Sequence, residues 1–219
     1  MAGLSVSGKR LIVVPKYEYT YWWDRFEAYY SPFFDRIEAM PSIKPEGPQR
    51  YWRRHHGKVT KRLDEWLRAY DIVVLVDPDE FIIPNSDKYR DLGDYLDRWH
   101  GDIIRTYGYG VMEMPDDEPL DHSKPILEQR KYWYRDHWYD KPIITRVMTK
   151  YAYGFHDCDM QAEPDPDLVM FHLRDADFIN LDKHCPYRNP RLFDAPNVMN
   201  YEQRLEICEP IPDKWMGLL

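Results

Sequence analysis

Cysteine is scarce in this chain: Cys158, Cys185 and Cys208 are the only three among 219 residues. An odd and small number fits reduced thiols and excludes a disulfide framework as the source of stability. Long apolar runs are also missing. With no stretch of about 18 apolar residues and no signal-peptide pattern, the sequence predicts no membrane-spanning segment and a location in the cytoplasm or at the face of a membrane. Excess positive charge is absent as well, since the formal net charge is −8, which argues against nonspecific nucleic-acid binding. One local basic stretch, Arg50 to Lys58, reads as a solvated loop or as a holder for a diphosphate. There is no internal repeat and no low-complexity segment.

What the chain does contain is the composition of a globular protein, 43% hydrophobic and 31% charged, with enough residues for one sizeable core and too few for two comfortable domains. The oligomeric state is left open. Its most informative segment runs from Asp71 to Asn85. A stretch of Ile, Val and Leu that is apolar on both faces suits the centre of a sheet covered on two sides, and ligands bind beyond the carboxyl ends of such strands. This strand is predicted to run straight into Asp77, Asp79 and Glu80. Carboxylates so close repel one another unless a proton or cation compensates, and hard ions such as Mg2+ or Mn2+ take oxygen ligands of this kind.

Around that segment, strands and helices alternate. Arg10 to Val14 reads as a first strand ending at Pro15. Trp22, Phe26, Tyr30 and Phe33 recur at helical spacing, with Pro32 stopping the helix near Ser31. Val59, Leu63, Trp66, Leu67 and Tyr70 mark a second helix leading into the Asp71 strand, and Leu92, Tyr95, Leu96 and Trp99 mark a third. Asp102 to Met112 returns as a strand interrupted by Gly108 and Gly110. Residues 113–141 read as a long loop region over the sheet edge. Pro142 to Thr149 and Asp167 to Leu173 are two further strands, flanking a turn at Gly154-Phe155-His156-Asp157. The predicted fold is a single-domain, three-layer α/β/α protein with a mostly parallel, Rossmann-type central sheet.

The ordered set Val14-Pro15-Lys16-Tyr17-Glu18, Asp77-Pro78-Asp79-Glu80-Phe81, Asp140-Lys141-Pro142, Gly154-Phe155-His156 and Phe171-His172-Leu173-Arg174 resembles the glycosyltransferase-2-like proteins of the GT-A fold. The resemblance covers residues 10–175, departs from the family pattern at Glu18-Tyr19, and leaves the tail 176–219 unassigned. It implies a transferase that moves a sugar from a nucleoside diphosphate donor, such as a UDP-sugar, to a hydroxyl of a glycan or other acceptor. Mn2+ or Mg2+ would bridge the two phosphates, the configuration would invert, and the setting would be glycan or polysaccharide biosynthesis.

Residue by residue, the resemblance implies Asp79 as the direct metal ligand and Asp77 toward the ribose and metal waters, while His156, ahead of His172, completes the metal sphere. Lys141 would meet the phosphates, with Arg146 and Arg174 as further candidates. Pro15 would fix the turn after the first strand, Tyr17 would stack on the base, and Glu18 would accept a hydrogen bond from base or ribose. Glu80 would orient ligands or sugar hydroxyls. For the general base the candidates are Asp157 first, then Asp140, Glu113 and Asp116. Other classes compete with this reading: a metal-dependent hydrolase or nucleotidyltransferase on a similar sheet, and a carbohydrate-binding module drawn from 8 Trp and 18 Tyr. A zinc protein built from His156, Cys158, His172, His184 and Cys185 is weaker, for it lacks the usual ligand spacing.

Overall fold

The structure, a computed structural model, describes residues 8–17, 21–41, 48–152, 155–180 and 199–218. Its centre is β1 (Arg10–Tyr17), which lies between β2 (Arg36–Pro41) and β3 (Ile72–Leu75) and runs parallel to both. The short β7 (Ile144–Thr145) joins β3 to the start of β5 (Ile103–Met112), antiparallel to each. Beyond that point β5 continues into the second half of the sheet. There it pairs in parallel with β8 (Pro164–His172) and antiparallel with β6 (Tyr132–Arg135). On the outside, β4 (Glu80–Pro84) pairs with β8 and β9 (Glu209–Pro210) with β6.

The chain is therefore α/β as expected, but its sheet is mixed: three of the described strand pairings are parallel and five antiparallel. The parallel character is strongest at β2-β1-β3, where helices make the crossovers. The third parallel pairing, β5 with β8, is reached through the long stretch that holds β6 and β7, whereas β7 pairs with β3 by running back against it.

Alternation along the central strands sorts the core onto two faces. Ile12 and Val14 of β1, with Val74 of β3, pack among Trp22, Phe26, Tyr30, Leu92 and Tyr95. The intervening Leu11, Val13, Val73 and Leu75 pack against Val59, Leu63 and Trp66. Helices α1 (Trp23–Tyr30) and α3 (Leu92–Arg98) thus contribute to one face and α2 (Pro48–Leu67) to the other. As the apolar spacing predicts, α1 ends at Ser31, just before Pro32. Asp91 caps α3 by accepting the Asp94 amide at 2.7 Å, which satisfies one of the donors left open at a helix start.

Three expectations change. The basic stretch from Arg50 lies within α2, which begins at Pro48, and not in a loop; arginine and lysine are good helix formers, and proline suits a first turn. The Asp71 segment is two strands rather than one. It breaks at the turn where the Glu80 amide donates to the Asp77 carbonyl at 3.0 Å, around a proline that has no N–H to offer. Finally, residues 113–141 are not all loop: they include a short α4 (Ile126–Gln129) and β6.

Among the described strands, β4 pairs with β8 alone, on one side. On its other side the Tyr30 hydroxyl accepts from the Ile82 amide at 2.9 Å and donates to the Glu80 carbonyl at 3.0 Å. The Tyr29 hydroxyl donates to the Ile82 carbonyl at 2.6 Å. Helix α1 therefore closes this edge with two phenols. A Tyr30→Phe variant keeps the ring packing and orphans a buried amide, so its stability in urea should drop by about 1–3 kcal/mol; an unchanged midpoint would show that the hydroxyl contributes nothing.

Candidate functional site

The acidic turn follows the carboxyl end of β3 and leads directly into β4. Antiparallel pairing sets Glu80 opposite His172, and the Leu173 amide donates to the Asp79 carbonyl at 2.8 Å, so the end of β8 is tied to the turn. Lys141 arrives by a different route. Because β7 runs against β3, the segment leading into it, with Lys141 three residues ahead of Ile144, falls at the carboxyl end of β3, while Arg146, which follows β7, falls at the amino end. There Arg146 donates to the Trp99 carbonyl at 3.0 Å, which separates it from the acidic turn.

Of the three carboxylates, one is internal and two face outward. Glu80 is only 1% exposed; one of its oxygens accepts the Asp77 amide at 3.0 Å, and the other takes the ammonium of Lys141. The Lys141 Nζ also lies 3.8 Å from Asp77 Oδ2. Burial works against the lysine charge, but Glu80, Asp77 and Asp79 together push its pKa above the ordinary value. The side chains of Asp77 and Asp79 are 40% and 20% exposed. Asp79 Oδ2 sits 3.2 Å from His172 Nε2. Although burial would raise its pKa, His172 and then Lys141 bring the Asp79 carboxyl down to about 2. It is a carboxylate at any ordinary pH.

Tyr139 completes the wall. Its ring stacks on His172 with centroids 3.9 Å apart, and Lys141 Nζ lies 5.2 Å from the centre of the same ring. This close approach explains Gly108, where an added Cβ would meet the Tyr139 Cβ at 2.3 Å. The glycine does not interrupt β5; it makes room for the tyrosine, a meaning that glycine inside a strand often carries. Among the described residues His172 Nδ1 is buried without a hydrogen-bond partner.

Other predicted site residues are arranged differently. His156 directs Nδ1 to the Trp138 carbonyl, and Asp77, Asp79 and His156 do not gather into a metal-binding group; no such group of three or more His, Cys, Asp or Glu occurs among the described residues. His172 is the histidine at the acidic turn. Preceding His156, Phe155 has φ of 61°, an unfavourable conformation for a bulky side chain, which its burial and its amide bond to Ala152 hold in place. Asp157 is exposed, and the Arg105 hydrogen bond with the Cys158 amide keeps its carboxyl below the usual range.

Asp140 is occupied by the Gly108 amide at 2.9 Å and by Arg135 at 2.6 Å. Glu113 is buried against Arg130 at 3.2 Å, and Asp116 is exposed. Pro15 and Tyr17 have their backbone in β1, near the same end of the sheet, but their side chains lie outside the described residues, as do all of Glu18, Gly154, His184 and Cys185.

Sequence reasoning missed the network behind His172. Asp175 accepts from the Tyr134 hydroxyl at 2.8 Å, from Arg204 at 2.7 Å and from Arg174 at 3.3 Å. Arg204 belongs to α5 (Tyr201–Ile207), whose start is a capping box between Asn200 and Gln203. Thus the tail braces the segment that follows β8. Asn-x-x-Gln was a readable helix start, whereas the inward direction of Arg204 had no local signal.

Two surface depressions, of about 500 and 420 Å3, lie at the amino ends of β1 and β3 and are lined by Arg10 and Asp97. They are remote from the acidic turn, and Arg10 is ion-paired with Asp97. The turn is the better candidate on chemical grounds, because it sets two partly exposed carboxylates, Asp77 and Asp79, at the carboxyl end of a buried strand. Comparison with protein-family models, curated proteins and solved structures finds no match to this chain.

The Asp175 cluster makes a pH prediction. Burial alone would raise its pKa, but Arg174, Arg204 and Tyr134 bring it down to about 2, below the value of about 3.9 in an unfolded chain. A depressed carboxyl adds stability that is present above the unfolded pKa and is lost as the pH falls toward the folded one. The difference in urea stability between wild type and Asp175→Asn should therefore shrink by about 2 kcal/mol between about pH 5 and pH 2. A difference independent of pH would remove Asp175 from the acid transition.

Proposed function

We propose that this protein is a metal-dependent glycosyltransferase that takes a sugar from a nucleoside diphosphate donor and transfers it to an acceptor hydroxyl with inversion. The observation that carries the reading is the division of labour in the acidic turn. Glu80 is consumed internally by Lys141 and the Asp77 amide, while the carboxylates of Asp77 and Asp79 remain partly open to solvent. A pair of carboxylates is a fitting donor set for Mg2+ or Mn2+, which commonly take one or two protein oxygens and fill the remaining positions with substrate phosphates and water.

Asp79 and Asp77 would hold the ion. When bound, the metal would supply Lewis-acid stabilisation of the negative charge on the departing diphosphate. The chain's own residues prepare for it. His172 fixes the Asp79 carboxylate, and Tyr139 fixes the plane of His172. Lys141 is too enclosed by Glu80 for a direct grip on phosphate from its described position; it lowers the electrostatic cost of keeping three carboxylates together. Arg174, two residues beyond His172, lies near the same end of β8 but is itself engaged by Asp175. For the base, Asp140 and Glu113 are committed to internal partners, which favours Asp157 with its exposed carboxylate. Its lowered pKa makes it a weaker base until Arg105 is drawn away.

The discriminating experiment incubates the protein with a panel of nucleotide sugars and Mn2+, and measures release of the nucleoside diphosphate with and without chelator. Asp79→Ala should abolish release while the protein stays folded, since that side chain faces outward. Glu80→Ala should act on stability, costing about 3–5 kcal/mol by leaving a buried lysine with poor compensation. Release unaffected by chelator, or an active Asp79→Ala protein, would refute the metal-dependent transfer. Phosphoester cleavage that liberates a nucleoside monophosphate would point to a hydrolase instead.

A further inference from the structure

Three large apolar side chains stand out from the described surface: Trp138, 56% exposed, Met148 and Ile207. The first differs from the others in rigidity and in place. Its amide donates to Asp136 Oδ1 at 3.1 Å, and the single turn continues with the Tyr139 amide on the Asp136 carbonyl at 3.0 Å. The carbonyl of Trp138 receives the His156 ring nitrogen, and that ring meets the indole edge-on at 5.2 Å. The next residue, Tyr139, is stacked on His172, which holds Asp79. Exposure of an indole has a hydration cost, and here the exposed ring is fixed by its backbone and neighbours one residue away from the wall of the acidic site.

From this geometry we infer that Trp138 is the acceptor-binding platform, on which a pyranose ring of a glycan acceptor stacks by its C–H face. The inference rests on the glycosyltransferase reading and names the substrate class for it. An aromatic face is electron-rich, whereas the axial C–H face of a pyranose is apolar and weakly positive, so the two match in charge and shape. Hydroxyl groups at the ring edge need polar partners. Exposed His137, next to the indole in sequence, and half-buried His156, edge-on to it in space, are the candidates to supply them. Because the turn is pre-ordered, little conformational entropy is lost when the sugar binds.

The test has two arms. In the first, protein labelled with 15N is titrated with methyl glucopyranoside, methyl galactopyranoside and methyl mannopyranoside, and the indole N–H signal assigned by its loss in Trp138→Phe is followed. At least one glycoside should shift it, in the absence of nucleotide or metal. In the second arm, the same glycosides serve as acceptors with the nucleotide sugar that the donor screen selects. Trp138→Ala should raise the acceptor KM about five-fold or more, with Trp138→Phe restoring part of the loss, while Met148→Ala matches wild type. A shifted indole in a protein that releases no nucleoside diphosphate would sustain the platform and reject the transferase. Transfer with an unmoved indole signal, or an unaltered KM in Trp138→Ala, would overturn the platform and leave the transferase standing.

Discussion

The Glu80–Lys141 ion pair is the constraint on which the site depends. Three carboxylates within four residues at the end of a buried strand repel one another. The protein answers with a lysine brought in by β7 and with a glutamate turned inward to receive it. Once Glu80 is spent on Lys141 and on the Asp77 amide, the turn has a definite shape and the two aspartates must point away from the core. The pair is costly to bury, and its value lies less in net stability than in fixing which carboxylates are internal.

A second buried network takes over where the first ends. His172 belongs to the acidic turn and Asp175 to the cluster of Arg174, Arg204 and Tyr134, so the few residues after β8 are held from both sides. Nearby, Arg130 binds Glu113 and the Ala176 carbonyl. These residues come from β6, the segment after α4, and α5. The end of β8 is consequently positioned by parts of the chain that contribute no side chain to the acidic turn itself.

Much of the fold was legible because it rests on local periodicity. The runs at β1 and β3, the amphipathic α3, the stop at Pro32 and the strand up to Met112 all follow from spacing and from residue stereochemistry. The location of the acidic turn at a strand end was legible for the same reason. What escaped was non-local. Tyr132 to Arg135 reads as loop because aromatic residues and arginine give no clear alternation, yet pairing on both sides makes it β6. Gly108 was read as an interruption, since the Cβ and backbone of Tyr139 that require it come from about thirty residues further along. Which of His156 and His172 lies beside Asp79 was not legible from sequence adjacency, because strand register sets His172 there.

The phenols of α1 have a consequence outside the site. A strand with one unpaired side is a template on which another chain can add a strand, and proteins commonly guard such sides with charge, proline or a covering element. Here Tyr29 and Tyr30 already occupy the outward polar groups of Ile82 and the carbonyl of Glu80, and Pro84 has no N–H to present. The apolar β4 can therefore stay at the margin of the sheet while offering few free backbone groups for an added strand to pair with.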